Sequence, residues 1–296
     1  SLHDALPIST QKQETGSFYR NALLGDTVPF WMRYSVDRNY GGFLTCLDRD
    51  GSVVDTDKGV WQQCRAAWLF ATLYNTVEKR SEWLDLAQSI IAFIEAHCFD
   101  PADGRMWFQV TRDGRPIRKR RYAFSESFAA IAFGELARAT GNAYWADRAR
   151  ACFNAFMRHN TEPGRAVPKF TDTRALHGLA YPMIGIATAQ ELRDAIDLEG
   201  ATSRIDEWIR VIEQRHVKDD LRCVVENVGP DGEVYDHFDS RTVLPGHAIE
   251  GAWFILWEAR HRQEPAYIKL GCRMLDYMWR LLQNPTWPRS RQFWMD

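Results

Sequence analysis

Apolar and polar positions along the chain repeat with a helical period, in stretches of two alternating kinds. Lys58–Tyr74 (KGVWQQCRAAWLFATLY) is apolar almost all round, whereas Glu82–Cys98 carries one stripe: Trp83, Ala87, Ile90, Ile94 and Cys98. Phe124–Ala139 is again apolar all round, and Asn142–Arg158 is striped by Trp145, Ala149, Cys152 and Phe156. Gly178–Leu192 is apolar and interrupted at Pro182; Thr202–Val217 is striped by Ile205, Trp208, Ile209 and Ile212. Ala248–Trp257 is apolar; Glu264–Leu282 is striped by Tyr267, Gly271, Met274, Met278 and Leu281. A helix apolar all round must be covered on both sides, a striped one on one side only. Strict alternation therefore predicts an inner and an outer layer. Gln13–Tyr34 predicts one more outer helix ahead of the first inner one.

The connections repeat too. Asp50-Gly51, Asp113-Gly114 and Asp231-Gly232 are turn signals between strand-like runs. They mark a period near 60 residues, with a missing member near Val167–Thr173, where only a short irregular loop is predicted. One helix pair plus one hairpin per period is a repeat architecture, and its product is an all-α toroid, an (α/α)6 barrel with hairpins at one mouth. Six such pairs need roughly 360 residues. Four clear pairs and a leading helix are present, and the closing QNPTWPRSRQFWMD reads as the start of a further hairpin. The barrel is thus expected to be incomplete at its C-terminal side. Ser1–Thr10 has no periodicity and no secretory pattern, and is set aside as foreign to the domain, which is taken as 11–296.

Composition narrows the function classes. A net charge of −2 gives no electrostatic reason to expect nucleic acid or a membrane surface, and no apolar run reaches membrane-spanning length. Six cysteines spread evenly without a CxxC pair point to reduced thiols and a cytoplasmic protein. No HExxH and no Cys/His cluster occurs, so no metal is expected; no dinucleotide fingerprint, P-loop or nucleophile elbow occurs either.

Candidate chemistry collects at the starts of the inner helices, where a polar residue is costly unless it has a task or a partner. Leu221–Arg260 reads as strand, turn, strand and the start of a buried helix, with Cys223–Val228 facing Glu233–Phe238 across Gly229–Gly232. His247 and Glu250 open that helix three residues apart and face the same way. An imidazole beside a carboxylate suits proton transfer, although capping or packing, and an arginine partner for Glu250, are the competing readings. Arg65 is either a site cation or a buried ion-pair partner. Glu126, within SESF, is either a site residue or a capping-box carboxylate. Glu226 is either a site residue or a solvated strand residue. His177 stands just ahead of the third inner helix, where local packing competes with a role in the site.

Four blocks carry a resemblance: YGGFLTCLDRDGSVVDTDKGVWQQCRAAWLFATLYN (40–75), RYAFSESFAAIAFGELA (121–137), LAYPMIGIATAQEL (179–192) and CVVENVGPDGEVYDHFDSRTVLPGHAIEGAWFILWEA (223–259). They resemble the N-acylglucosamine 2-epimerase family, on its N-acetylglucosamine 2-epimerase (renin-binding protein) branch, from about Ser17 to about Tyr277. The family's barrel agrees with the layering above. The resemblance implies a cofactor-independent sugar epimerase acting on N-acetylglucosamine and N-acetylmannosamine, with a sugar as its small-molecule partner, a nucleotide effector and a homodimer at full length. It assigns a catalytic histidine to His247 in GHAIEG, with Glu250 orienting it. It assigns stabilisation of the enediolate to Arg65 in WQQCRAAW, an active-site place to Glu226, and substrate contacts to Trp61 and Tyr122. The family's ExxMKLWWPH-like and GxxHVPR-like stretches, the latter with a second catalytic histidine, are not matched, and His261, Trp287 and Trp294 stand in no such context. The 296-residue chain is therefore expected to be inactive or severely impaired by itself. The competing functions are an aldose–ketose isomerase, a cellobiose 2-epimerase, a glycoside hydrolase using two carboxylates, and a non-enzymatic protein-binding member.

Overall fold

The structure is a computed structural model that describes residues 8–162, 164–165 and 167–283. Residues 1–7, most of the segment set aside above, lie outside the described residues. So do residues 284–296, with Trp287, Trp294 and the expected start of a further hairpin. Packing divides the chain into two compact units, 1–74 with 78–120, and 75–77 with 121–296.

The first unit opens with α1 (Ile8–Ala22), a π-helical turn (Leu23–Thr27) and α2 (Val28–Tyr34). The single helix predicted over Gln13–Tyr34 is thus one helical path whose hydrogen-bond register slips midway. Pro29, at the start of α2, has no N–H to return to the preceding turn, which accounts for the slip. β1 (Cys46–Leu47) and β2 (Val53–Asp55) form an antiparallel pair across Asp50-Gly51. β3 (Lys58–Gly59) feeds α3 (Val60–Thr76), which is followed by α4 (Ser81–His97). β4 (Gln109–Val110) and β5 (Pro116–Arg118) close the second hairpin and complete a sheet in the order β3-β4-β5. Gly51 and Gly114 have φ of 86° and 89°, which the turns require, and each backs onto a ring at a helix end, Tyr34 and His97. Every residue of the α4 stripe is buried. A buried polar node ties this unit together. Lys58 Nζ donates to Asp37 Oδ2 at 3.0 Å and to the carbonyls of Gly41 and Arg112 at 2.6 and 2.7 Å, while Arg112 forks onto the same carboxylate. Burial alone raises the Asp37 pKa, but the hydrogen bonds from Arg112 and Lys58 outweigh it and hold the carboxyl down at about 2.

The second unit is a series of helical hairpins: α5 (Phe124–Thr140) with α6 (Ala143–Thr161), α7 (Ala180–Ile196) with α8 (Ala201–Val211), and α9 (Pro245–Arg262) with α10 (Pro265–Gln283). α5 packs on α7 and α7 on α9, while each packs on the helix that follows it, so within this unit the predicted inner and outer layers are present. Pro182 does not interrupt α7. It lies in the first turn, where its missing N–H has no intrahelical acceptor to lose. α7 and α9 are locked by Arg193, which forks onto the fully buried Glu258 at 2.8 and 3.0 Å, with Gln190 donating to the same carboxylate. The full cover expected for α9 is not found among the described residues: Trp253 and Trp257 are exposed on one face of it.

The hairpin predicted within Leu221–Phe238 forms differently. β8 (Cys223–Val224) pairs with β7 (Val217–Lys218), and β9 (Asn227–Val228) pairs with β6 (His177–Gly178). Those partners occupy the two halves of Cys223–Val228. The Gly229–Gly232 turn closes with a bond from Gly229 N–H to the Glu233 carbonyl, and Glu233–Phe238 continues as loop into a 3-10 turn at Asp239–Arg241. The loop predicted near Val167–Thr173 is irregular, with one 3-10 turn at Asp172–Arg174. Among the described residues no helix is long and apolar enough to cross a membrane.

Candidate active site

α9 begins at Pro245, whose fixed φ suits a first helical position. His247 therefore falls in the first turn, at the junction of loop and helix. Upstream, β8 and β9 run back to back, and Glu226 stands between them. This carboxylate interrupts an otherwise apolar run, CVVENV, so it is carried inward with its neighbours: Val225, Asn227 and Val228 are all buried. A buried charge must be partnered. Here the partner is His247, whose Nδ1 lies 3.0 and 3.2 Å from the two carboxylate oxygens of Glu226. The Glu226 side chain is 8% exposed and that of His247 39%.

A carboxylate accepts and does not donate, so Nδ1 carries the proton and the neutral ring presents its lone pair at Nε2. The His247 pKa is raised. The hydrogen bond that Nδ1 donates to Glu226 is the largest cause; burial opposes it, the charges of Glu226 and Glu250 add to it, and Lys169 subtracts. A base with a fixed tautomer, backed by a buried carboxylate, is suited to taking a proton at Nε2 and holding the resulting imidazolium.

The backbone of Glu226 is also committed. Its N–H donates to the Thr242 carbonyl at 2.9 Å and its carbonyl accepts from Leu179 N–H, at the start of α7, at 2.8 Å. Asn227 reaches the Asp239 carbonyl through its side-chain amide at 3.1 Å. The loop before α9 and the start of α7 thus both bond to the backbone of the residue that carries this carboxylate.

Of the residues singled out in the sequence, the structure brings Glu226 and His247 together. Nδ1 of His247 donates its hydrogen bond to Glu226, while Glu250, to which the resemblance assigns the orienting role, acts on His247 by charge. Glu226 is accordingly no solvated strand residue. Its signal in the sequence was the charge embedded in an apolar run. Glu126 is 1% exposed in the first turn of α5, whose N-cap Ala123 makes no side-chain cap, so no capping box forms. Tyr122 stacks on Phe124 at 5.6 Å. His177 is exposed, and its backbone pairs with Val228, one residue from Asn227. Trp61 and Arg65 belong to the first unit, on the first two turns of α3. Trp61 meets Phe108 edge-on at 5.1 Å, and Arg65 is exposed, which does not fit a buried ion-pair partner. Lys169, whose charge reaches His247, was not legible in advance, because it comes from the irregular loop ahead of β6. Among the described residues no group of three or more His, Cys, Asp or Glu gathers to hold a metal ion.

A family model described as N-acylglucosamine 2-epimerase (GlcNAc 2-epimerase) matches residues 42–281. The N-acylglucosamine 2-epimerase of Bos taurus is 33% identical over 275 residues, covering 90% of this chain and 64% of that protein. That of Homo sapiens is 33% identical over 248 residues, covering 82% and 58%. The chain thus spans about three fifths of the length of these relatives. Among solved structures, the cellobiose 2-epimerase of Bacillus thermoamylovorans B4167 aligns with a TM-score of 0.75 at 18% identity, over 90% of this chain and 72% of that one. A D-mannose isomerase aligns at 0.74 and 17%, over 89% and 71%. This likeness shows the fold class, all-α and of the (α/α)6-barrel type.

Proposed function

The chain belongs to the N-acylglucosamine 2-epimerase family, and from that premise we propose that the whole protein is a sugar isomerase that interconverts N-acetylglucosamine and N-acetylmannosamine. The observation that carries this reading is the bond between His247 Nδ1 and the buried Glu226 carboxylate.

In the open-chain sugar the C1 carbonyl acidifies the C2–H bond, so no cofactor is needed as an electron sink. His247 Nε2 takes the C2 proton, and the bonding pair moves into C1–C2 while the carbonyl oxygen takes up negative charge as an enediolate. Glu226 holds the imidazolium so formed. The enediolate oxygen calls for a fixed cation, which stabilises charge that develops only in the transition state. A proton returned to C2 on the opposite face completes the inversion, and requires a second acid/base group there. The hydrolase reading is weakened by the same geometry. Glu226, a carboxylate it would nominate, is already bonded to a histidine rather than left to flank a glycosidic bond.

The cytoplasm is the location this reading favours, consistent with six free thiols at Cys46, Cys64, Cys98, Cys152, Cys223 and Cys272. The homodimer and the nucleotide effector belong to the proposal through the family.

The test is solvent deuterium exchange at C2 of N-acetylmannosamine, followed by NMR in the whole protein. Label appears at C2 of both sugars, and His247→Asn lowers their interconversion by at least about 100-fold. Interconversion at the wild-type rate in His247→Asn would sink the assignment.

A further inference from the structure

Where the Glu226 carboxylate sits depends on the path of the backbone between β8 and β9, and one buried side chain outside the pair holds that path. His216 ends the π-helical turn that closes α8 and is 1% exposed. Its backbone carbonyl accepts the N–H of Val225 at 2.9 Å. Its ring Nδ1 lies 2.9 Å from the Val225 carbonyl oxygen. Since a carbonyl only accepts, Nδ1 is the protonated nitrogen. A single residue therefore holds both polar backbone groups of Val225, the residue immediately before Glu226.

The arrangement has a geometric reason. β7 and β8 are an antiparallel pair with Val217 opposite Val224 and Lys218 opposite Cys223, so the next position along would set residue 216 opposite residue 225. An antiparallel pair of this kind exchanges two backbone bonds. Residue 216 still belongs to the helical turn, and returns only one of them from its backbone. The imidazole makes the other. Burial holds this ring neutral, with its pKa pulled down to about 4; the Val225 carbonyl opposes that shift, and the charges of Lys218, Arg215 and His177 reinforce it. The one proton of the neutral ring is thereby committed to Val225.

We infer that His216 is a positioning residue: through Val225 it sets where the Glu226 carboxylate meets Nδ1 of His247, and so keeps the base in the tautomer that leaves Nε2 free. The inference rests on the reading of His247 as the base. His216 touches no reacting atom. An ordinary core residue would fill the volume at position 216 but would leave the Val225 carbonyl unbonded. The groups whose charge bears on His247 are Glu226, Glu250 and Lys169. Of these, Glu226 is the one whose backbone adjoins the residue that His216 holds.

The experiment compares His216→Leu and His216→Asn in the whole protein. Asparagine places an amide N–H near the position of Nδ1, and leucine has no donor. Two readouts are taken: kcat and KM with N-acetylmannosamine, and titration of the His247 ring by NMR without substrate. In His216→Leu, kcat falls about 10- to 100-fold, the scale of a small misplacement of a catalytic group. KM stays within about twofold, because substrate binding is untouched. The His247 pKa drops toward the ordinary histidine value. His216→Asn recovers most of both losses. A folded His216→Leu protein with wild-type kcat and wild-type His247 titration overturns the inference, as does an asparagine variant no better than the leucine one. If leucine prevents folding, His216→Gln replaces it. Its amide reaches past the Nδ1 position, and the same difference from asparagine is expected. Failure of the epimerase reading is separable: it appears as turnover that survives His247→Asn, while the substrate-free titration still reports on His216.

Discussion

A histidine in the first turn of a helix is most often a capping or packing residue. What changes its meaning at position 247 is the company of a carboxylate nearly removed from water. The Glu226–His247 bond fixes one tautomer and raises the His247 pKa, and both effects bear on the role proposed for it, a base that works in its neutral form. Activity limited by that base rises as pH climbs through the raised pKa. Glu226→Gln removes the charge that favours the imidazolium, so the acidic limb of the pH–rate profile moves to lower pH. At the same time kcat falls, by about 100-fold or more, because the imidazolium formed in the reaction loses its counter-charge. A profile of kcat/KM against pH for both proteins checks this; an unmoved limb would mean that Glu226 does not set the titration. GHAIEG marked the histidine in the sequence, but the partner it named was the nearer carboxylate, Glu250. Local spacing lists candidates on one helix face and is blind to a residue twenty-one positions upstream that is folded back against it.

At the scale of the elements, periodicity read well because burial is what periodicity encodes. The stripe on α4 is buried, and the all-round apolar character of α5 and α7 corresponds to what each of those two packs against. Ends and irregularities were less legible. The π turns at Leu23–Thr27 and Ile212–His216 leave no mark in the apolar pattern, since they shift hydrogen bonds without moving a helix face far. The second of them matters most, because it delivers His216 to Val225. Helix ends also store removable strain. α9 terminates on Gln263 with φ 55°, a left-handed conformation that L side chains adopt at a cost. Gln263→Gly is expected to stabilise the protein by about 0.5–1 kcal/mol, read as a raised denaturation midpoint with an unchanged slope. A lowered midpoint would show that the glutamine side chain contributes contacts that outweigh the backbone relief.

At the scale of the whole molecule, His216, Asp37 and His247 are among the groups that bend the dependence of stability on pH, and their signs differ. His216 has its pKa lowered, to about 4, so its contribution is present above the unfolded value and is lost as pH falls from about 6.5 to about 4. The loss is about 3 kcal/mol, from 1.36 kcal/mol for each pH unit between the two values. Asp37, held at about 2, acts in the same direction at lower pH: its contribution is present above the ordinary carboxylate range and lost as pH falls toward 2. His247 has the opposite sign. Its pKa is raised, so its contribution is present below the unfolded value and is lost as pH rises through the folded one. Chemical denaturation at a series of pH values should therefore show stability falling between about pH 6.5 and 4, and His216→Asn should flatten that segment. A wild-type curve flat over that interval would refute the assignment of a buried neutral ring at 216.

The amino-acid sequence by itself determined the class of this protein: alternating helix types, hairpin turns at Asp50-Gly51 and Asp113-Gly114, and the helix start that carries His247. Each is a local property, set by which neighbours along the chain share a face or a turn. Which carboxylate holds the histidine, which strands flank it, and why a histidine stands at position 216 were decided only in three dimensions. Cys223–Val228 pairs with β7 and β6 instead of its neighbour across the turn, because strand partners are chosen by what packing brings alongside. Glu226 and His247 meet for the same reason. A buried charge takes whichever partner the folded backbone places within reach, and sequence distance does not enter that choice.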